Sequence, residues 1–593
     1  MTLDYITRDS RQGPDGSLDH VVVRVELMHY VSEKVRNLRA FTIYTKSGKA
    51  FDRAVWSDND PTDIKARSAT IREWLTECKA HHSSCRKTLK SNTPLSARIL
   101  AIQELGRDNY IVKLIPTDHI DLHNEPHLVL SHVWGGVEIA CKTTGDKISL
   151  YQDIGINFAA LPKTFQDAVR ITAAIGFQYL WIDSLCIIQD DEEDWQRESA
   201  KMAAIFRAGT ITLSATISEN SHGGCGLTTT LAPAMRFRNI SGRGPDFAAR
   251  EIAAFGQSPT IVMKSELRHA PVNKRAWILQ EKMLSQRILH AMESQFVWQC
   301  LGVTESEDGI AEVENQKGNG SIIAAWPDTD STLQNTQLVG RHEINRRWWI
   351  TVSDYSRRSL TKPIDRYAAM AGIVQLHQEL YCDTSIVGLW ENDLALHLSW
   401  DAYRPRNMTE ALREPATRRP SWTWMSFQHG SVAIWPPIEW DDLRRKGQRV
   451  GDLGIVYQAQ ILQTNIIWSG RPLTSDPSGS TIRIRGIFLR MPRPKPVRAG
   501  VISPLHLDPG IPEEEGEYDT LALAAYVRSA ALIHQSPFIT TTYLVVKRTE
   551  LYYQGGNQDE YMRIGRMELT ESYNMNTHHV YQPRGVWKDI ILV

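Results

Sequence analysis

The chain has 593 residues, of which 42% are hydrophobic and 23% are charged, and its formal net charge is −1. This length predicts two to four domains with ordinary globular cores. The near-zero net charge excludes the strongly basic surface with which proteins bind nucleic acids or anionic membranes. The sequence has no signal-peptide pattern and no uncharged apolar run of about 18 residues, so we expect no membrane span. An odd number of cysteines, seven in all, favours reduced thiols and a cytoplasmic location.

The first 124 residues are predicted to contain strands and one helix, which ends in the segment CKAHHSSC at 78–85. This segment offers four candidate metal ligands: Cys78, His81, His82 and Cys85. Candidates packed into so short a segment do not form the two separated ligand pairs of a structural zinc site. We therefore predict no metal here, and instead small thiols packed at a helix end.

A buried strand is predicted at 127–134 (HLVLSHVW), and Gly135 and Gly136 follow it directly. Glycines after a buried parallel strand let the backbone approach a ligand at the carboxyl edge of the sheet, although a plain turn is the simpler alternative. Ser131, Trp134 and Gly135 are therefore candidate ligand-binding residues. Neither GxGxxG nor GxxxxGK[ST] occurs nearby, so any nucleotide site is of another kind.

The segment 161–216 alternates helical patterns with short apolar runs. It predicts a helix, a strand buried on both faces, a second helix and another strand, at 162–176, 179–188, 191–207 and 210–216. A strand, a helix and a strand at this spacing are typical of a parallel crossover in an α/β sheet.

The second of these helices carries a carboxylate on its apolar face. At about 100° per residue, Trp195, Met202 and Ile205 fall on one stripe, and Glu198 lies within it. A buried carboxylate is costly unless it has a partner or a chemical role. Two interpretations stay open: a glutamate paired with an arginine or with backbone donors, and an active-site acid at the rim of a crevice.

The predicted strand at 179–188 also contains polar side chains. Asp183, towards its carboxyl end, is a candidate second carboxylate. Ser184 or Cys186 could act as a nucleophile with a histidine, but no nucleophile-elbow motif surrounds either residue, and buried packing explains them better.

The segment 275–300 predicts a helix (RAWILQEKML) followed by a hairpin. Glu281 lies one turn after Trp277 and is a weaker candidate for the same crevice. A surface ion pair explains Glu281 equally well, with Arg275 or Arg287 as the partner.

The remaining sequence predicts two further regions. Residues 301–430 are expected to form a helical, aromatic-rich region packed on the preceding domain. Beyond 431, apolar residues alternate with polar ones, which is typical of an antiparallel β-rich module. The predicted domains are therefore 1–124, 125–300, 301–430 and 431–593.

Three blocks of the chain resemble the fungal heterokaryon incompatibility (HET) domain. They are LSHVWGG at 130–136, the segment from LPKTFQDAVR to WQRESAKM at 161–202, and RAWILQEKMLSQRILHAMESQFVWQC at 275–300. The blocks occur in the family's order and near its spacing, and they imply a HET domain over about 125–300. The HET domain is in turn similar to Toll/interleukin-receptor-like (TIR) domains, so the resemblance implies a flavodoxin-like parallel sheet.

The resemblance implies a role in fungal non-self recognition, in which an activated HET domain triggers programmed death of fused, incompatible cells. Some TIR domains cleave NAD at the nicotinamide–ribose bond with one glutamate, on a helix where a tryptophan precedes it. Trp195-Gln-Arg-Glu198 matches that arrangement. This match implies Glu198 as the catalytic glutamate, and Asp183 is a possible second catalytic carboxylate because of its place in the predicted strand. The candidate nucleotide-binding residues are Ser131, Trp134, Gly135, Trp195, Arg275 and Glu281.

The implied partners follow from the same resemblance. NAD would be a substrate, and neither a tightly bound cofactor nor a metal is expected. Self-assembly through the HET domain and an incompatibility partner protein are expected, with no nucleic acid and no membrane. The alternative is a non-catalytic module that signals by oligomerising or by docking a partner.

Overall fold

The computed structural model of the chain describes part of each of two compact units, Met1–Asp328 and Thr329–Val593. The described residues are 2–12, 18–28, 30–31, 34–35, 40–45, 64–86, 95–106, 108–225, 235–237, 247–252, 259–293, 295–307, 311–313, 341–403, 420–426, 431–433, 456–492, 505–508, 517–528, 538–549, 560–572 and 585–593. The predicted region 301–430 therefore lies partly outside the described residues.

Small antiparallel sheets form the N-terminal part of the first unit. Their strands are β1 (Thr2–Gln12), β2 (Leu18–Met28), β3 (Tyr30–Val31), β4 (Lys34–Val35) and β5 (Ala40–Thr45). β1 pairs with β2, and β3 pairs with β4. The predicted helix follows as α1 (Ile64–His81), and a single turn, α2 (Ser83–Arg86), comes directly after it.

A nine-stranded sheet forms the centre of the first unit. Its strands are β6 (Arg98–Gly106), β7 (Asn109–Pro116), β8 (His127–Ser131), β9 (Tyr179–Trp181), β10 (Ile211–Ser214), β13 (Arg287–Ala291), β14 (Phe296–Cys300), β15 (Val303–Ser306) and β16 (Ala311–Val313). The two intervening strands, β11 (Met235–Phe237) and β12 (Phe247–Ile252), form a separate sheet with β5. The hairpin predicted after 284 is confirmed as β13 and β14.

Four neighbouring strands of the large sheet, β9, β8, β10 and β13, run parallel to one another. Numbered along the chain, their spatial order is 2-1-3-4, which is the order of flavodoxin-like sheets. β6 and β7 flank this core on one side and β14, β15 and β16 on the other, all in antiparallel pairing. The predicted α/β class is confirmed, with a sheet that is mixed and has a parallel core.

The parallel core follows directly from its apolar sequences. Every residue of β8, β10 and β13 is buried. Strands that are covered on both faces read as continuous apolar runs, because each face must be removed from water. These runs are HLVLS, ITLS and RILHA.

Helices surround this sheet and differ from the sequence prediction at two places. They are α3 (Ile148–Asp153), α4 (Lys163–Ala174), α5 (Asp183–Cys186), α6 (Glu192–Ser199), α7 (Met202–Ala208), α8 (Pro259–His269) and α9 (Trp277–Leu284). The strand predicted at 179–188 is wrong beyond Trp181. Asp183 starts a helical turn there, because its carboxylate accepts a hydrogen bond from the Ser184 N–H and so competes with strand pairing.

The helix predicted at 191–207 is two helices. Asp191 caps α6, since its side chain accepts hydrogen bonds from the N–H groups of Glu193 and Asp194. At the other end, the Lys201 N–H bonds to the Glu198 carbonyl three residues back. This tighter turn separates α6 from α7.

The described part of the second unit contains three α-helices together with β-sheets. The helices are α10 (Arg341–Ser356), α11 (Ala368–Tyr381) and α12 (Leu394–His397). Short strands pair as β17 (Ser385–Ile386) with β18 (Leu389–Trp390), and β19 (Asp401–Tyr403) with β20 (Ser431–Ala433). Tryptophans dominate the core, and the fully buried ones include Trp348, Trp390, Trp400, Trp422 and Trp424.

The predicted C-terminal β-rich region is confirmed as an eight-stranded sheet. Its strands are β21 (Val456–Tyr457), β22 (Ala459–Asn465), β23 (Thr481–Pro492), β24 (Leu505–Leu507), β25 (Glu517–Arg528), β26 (Phe538–Arg548), β27 (Glu560–Ser572) and β28 (Val586–Leu592). All pairings are antiparallel except that of β27 with β28. Across the described residues of both units, every helix is too short or too polar for a membrane span.

Candidate functional site

The candidate site lies where the parallel strands β8, β9 and β10 end. β9 and β10 lie on opposite sides of β8, so the strand order changes direction at β8. In open α/β sheets, ligands commonly bind outside the carboxyl ends of the strands at such a point. Trp134 follows β8, and Asp183 follows β9 by two residues. The structure brings these two predicted residues into contact, since the Trp134 indole N–H donates to Asp183 Oδ2 at 2.9 Å.

Asp183 is the partly exposed carboxylate of this edge. Its side chain is 26% exposed. Oδ2 accepts from Trp134, and Oδ1 accepts from the Ser184 N–H at 2.7 Å. His132 Nδ1 lies 3.8 Å from Oδ1. The carboxylate therefore has neutral donors on both oxygens and one face open to solvent, which suits binding of a cationic or hydroxyl-bearing group.

His132 is buried beside Asp183 and stays neutral. Its ring packs edge-on against Phe165, with the ring centroids 5.1 Å apart. Burial lowers the pKa of His132 to about 4; the nearby Asp183 carboxylate opposes that shift and Arg275 adds to it. Arg275 itself donates to the His132 carbonyl. The predicted residue Arg275 thus lies at this edge, bonded to the backbone of the residue that follows β8.

The two glycines after β8 both have left-handed backbone conformations, with φ of 75° at Gly135 and 68° at Gly136. A Cβ at Gly135 would lie 2.1 Å from the Asn220 Cβ and 2.6 Å from the Glu219 carbonyl oxygen. Residue 135 must therefore be glycine because its backbone packs closely against the protein's own loop after β10. Gly136 faces open space.

Glu198 is completely buried and fully hydrogen-bonded. Its Oε2 accepts from the Ser96 hydroxyl at 2.8 Å and from the Ala97 N–H at 3.1 Å. Its Oε1 lies 2.8 Å from Lys201 Nζ, and the side chains of Glu198 and Lys201 are 0% and 18% exposed. The carboxylate is therefore held by an ion pair within its own helical segment and by the segment before β6.

A second buried carboxylate, Asp194, lies one turn earlier on α6. It pairs with both Arg98 and Arg197 and accepts from the Ile188 N–H at 2.9 Å. Arg98 also donates to the Cys186 carbonyl at 2.8 Å. Together the two carboxylates fix α6 to the beginning of β6.

The residues before and at the start of β6 are the ones that the sequence analysis missed. Ser96, Ala97 and Arg98 lie about 100 positions from the carboxylates that they bind, with sequence separations of 102, 101 and 96. The sequence feature that could have indicated these contacts is Arg98, an arginine directly before the apolar run ILAI. A charged residue in such a place usually marks a buried ion pair.

The other predicted residues lie in two further places. Trp195 and Trp277 pack edge-to-face with centroids 6.5 Å apart, and both are half-buried. Glu281 is only 5% exposed, so it does not lie on the surface. Ser131, the last residue of β8, is buried, and its hydroxyl has no hydrogen-bond partner within the described part of the chain.

A nucleophile at Cys186 is disfavoured by its surroundings. Both Cys186 and Ser184 are fully buried. Burial raises the pKa of the Cys186 thiol to about 12, so the reactive thiolate is not formed near neutral pH.

Comparison with known proteins identifies the domain that contains this edge. Residues 127–281 match the family described as heterokaryon incompatibility protein (HET). The chain therefore carries a HET domain, and this associates it with heterokaryon incompatibility. No curated protein and no solved structure matches the chain.

Proposed function

We propose that the chain is an effector of fungal heterokaryon incompatibility that triggers death of fused, incompatible cells, and that its HET domain signals through protein contacts without catalysis by Glu198. The HET match supports the biological role. The observation that supports this mode of action is that Glu198 is fully buried and that its two oxygens are bonded to Ser96, Ala97 and Lys201. Removing one partner from a buried, paired carboxylate is costly, so Glu198 is poorly placed to exchange these partners for a substrate's developing charge.

A second candidate function, cleavage of NAD at the nicotinamide–ribose bond, is favoured by Asp183. Such cleavage develops positive charge on the ribose, which a nearby carboxylate stabilises. Asp183 is partly exposed at the carboxyl edge of a flavodoxin-order sheet, beside the aromatic ring of Trp134. The carboxylate that would act is therefore Asp183 and not Glu198.

One experiment separates the two functions. The full chain is expressed from an inducible promoter in fungal cells, and viability and cellular NAD are followed together. Signalling through protein contacts predicts that viability falls while NAD stays level, and that Asp183→Asn kills as efficiently as the wild type.

NAD cleavage predicts a different result. NAD would fall before viability, and Asp183→Asn would abolish both effects while the protein accumulates to the same level. Asp153→Asn, which changes an exposed aspartate at the end of α3, is the matched control. A level NAD pool together with a lethal Asp183→Asn variant rejects the enzymatic function.

A further inference from the structure

Three cysteines and one histidine of the first unit converge on one point. The Sγ atoms of Cys78, Cys85 and Cys300 and a ring nitrogen of His82 all lie within 4.8 Å of one another. Cys78 lies in the last turn of α1, His82 between α1 and α2, Cys85 in α2 and Cys300 at the end of β14. Two segments that are far apart in sequence, 78–85 and the end of β14, thus contribute to one cluster.

We propose that this cluster binds one structural zinc ion. Three cysteines and one histidine are a common ligand set of closed zinc sites. Zn–S and Zn–N bonds of about 2.3 and 2.0 Å in a tetrahedron place ligand atoms roughly 3.6–3.8 Å apart. His82 Nδ1 lies 3.2 Å from Cys300 Sγ, and all four ligand atoms lie within 4.8 Å of one another. Their separations therefore exceed those of a tetrahedral site by about 1 Å at most.

The local backbone presents the ligands in the required way. The three N-terminal ligands form a Cys-x3-His-x2-Cys pattern. The His82 N–H bonds to the Cys78 carbonyl, and the Cys85 N–H bonds to the His82 carbonyl. These bonds hold the three side chains on one side of the turn between α1 and α2, where Cys300 supplies the fourth ligand.

The surroundings of the cluster match those of a metal–thiolate centre. Metal-bound sulfur commonly accepts hydrogen bonds from nearby donors, which orient it and tune its charge. The Gly302 N–H donates to Cys300 Sγ at 3.4 Å, and Arg287 Nε donates to Cys78 Sγ at 3.2 Å. A Cβ at Gly302 would lie 2.9 Å from His82 Cγ, so glycine leaves the space that the imidazole occupies.

Charge provides an independent argument for the metal. Arg287 is only 7% exposed, and its guanidinium donates to Cys78 Sγ, the Cys85 carbonyl and the Gln286 side chain. None of these three groups carries a charge while the thiols are protonated. Zn²⁺ with three thiolates carries a net charge of −1, which compensates the buried guanidinium.

The zinc ion would fasten the N-terminal helices to the edge of the central sheet. His82 and Cys300 are 218 positions apart, and a metal link across so long a loop removes much conformational freedom from the unfolded chain. The ligands lie on both sides of the matched HET segment, 127–281. The folded domain therefore extends beyond that segment in both directions.

The test is the metal content of the purified full chain, measured by inductively coupled plasma mass spectrometry for zinc, iron and copper. We expect about one zinc per chain, loss of this zinc in His82→Ala, and its retention in His82→Cys, which preserves four ligands. His81→Ala is the matched control, because His81 is the adjacent but exposed histidine. Cobalt added to the chelator-stripped protein should give the absorption bands of tetrahedral thiolate coordination in the wild type and lose them in His82→Ala.

Several results would overturn the proposal. A folded wild-type chain that holds no zinc after dialysis against zinc would do so, as would iron or copper in place of zinc. The site would also be excluded by a disulfide bond between any two of the three cysteines, detected by mass spectrometry in protein purified under reducing conditions. These measurements use the wild-type chain, so they test the proposal even if His82→Ala does not fold.

Discussion

Replacing Glu198 by alanine is expected to destabilise the first unit by about 3–5 kcal/mol, because the change leaves a lysine without its counterion and two donors without an acceptor. Lys201 keeps 18% of its side chain exposed, and this partial solvation places the expected loss towards the lower end of that range. The measurement is urea unfolding of the full chain by circular dichroism, with hydrogen exchange of α6 used to assign the transition of the first unit.

Two further variants divide this loss into its parts. Glu198→Gln retains an acceptor for Ser96 and Ala97 but faces Lys201 with a neutral amide, so it should lose less stability than alanine does. Adding Lys201→Met to Glu198→Gln removes the unpaired cation and should recover part of the loss. Glu192→Gln changes an exposed glutamate of the same helix and should leave unfolding within about 0.5 kcal/mol of the wild type.

The same measurement decides between the two interpretations of Glu198. Removing an unpaired active-site acid is commonly neutral or stabilising. A Glu198→Ala variant that is as stable as the wild type but no longer kills cells would therefore restore Glu198 as a catalytic candidate. A destabilised Glu198→Ala variant supports the structural role.

The parts of the fold that local sequence determines could be predicted. The runs HLVLS and ITLS, both buried along their full length, indicate covered parallel strands without any tertiary information. The contact between Trp134 and Asp183 also follows from such reasoning, because residues that come after neighbouring parallel strands meet at one edge. The catalytic and binding roles assigned to the site residues stay predictions.

The partners of buried charges could not be predicted in this way. An amphipathic pattern shows that Glu198 faces inward, but nothing local identifies Ser96, 102 positions away, as its hydrogen-bond donor. The fourth ligand of the cysteine cluster presents the same difficulty, since Cys300 belongs to a strand that pairs in a distant hairpin. Packing of the whole domain selects these pairs.

Acidification from pH 7.5 to pH 5 is expected to destabilise the first unit by about 4 kcal/mol through two buried histidines alone. Burial lowers the pKa of His132 to about 4 and that of His290 to about 3. Because unfolded histidine has a pKa of about 6.5, the unfolded chain binds more protons than the folded chain below that pH. The stability is thus fully present above pH 6.5 and decreases as the pH falls towards the folded pKa values.

The size of this expected destabilisation follows from the linkage between proton binding and folding. Each pH unit within this window costs about 1.4 kcal/mol per histidine, and pH 5 lies roughly 1.5 units below the unfolded pKa. His290 lies between Thr216, 3.1 Å from Nδ1, and the Gln299 side-chain oxygen, 3.0 Å from Nε2. Burial is the main cause of its lowered pKa and the nearby Lys282 adds to it, whereas the hydrogen bond with Gln299 opposes it.

The check is the slope of unfolding free energy against pH between 5 and 6.5, from urea unfolding at each pH. His132→Gln and His290→Gln should each reduce this slope, averaged between pH 5 and 6.5, by about 1.1 kcal/mol per pH unit, whatever they do to the stability at pH 7.5. His222→Gln changes an exposed histidine and should leave the slope unchanged. If the unfolding free energy of the wild type does not change with pH over this interval, the two imidazoles accept protons in the folded domain. The conclusion that His132 is buried and neutral beside Asp183 would then be wrong.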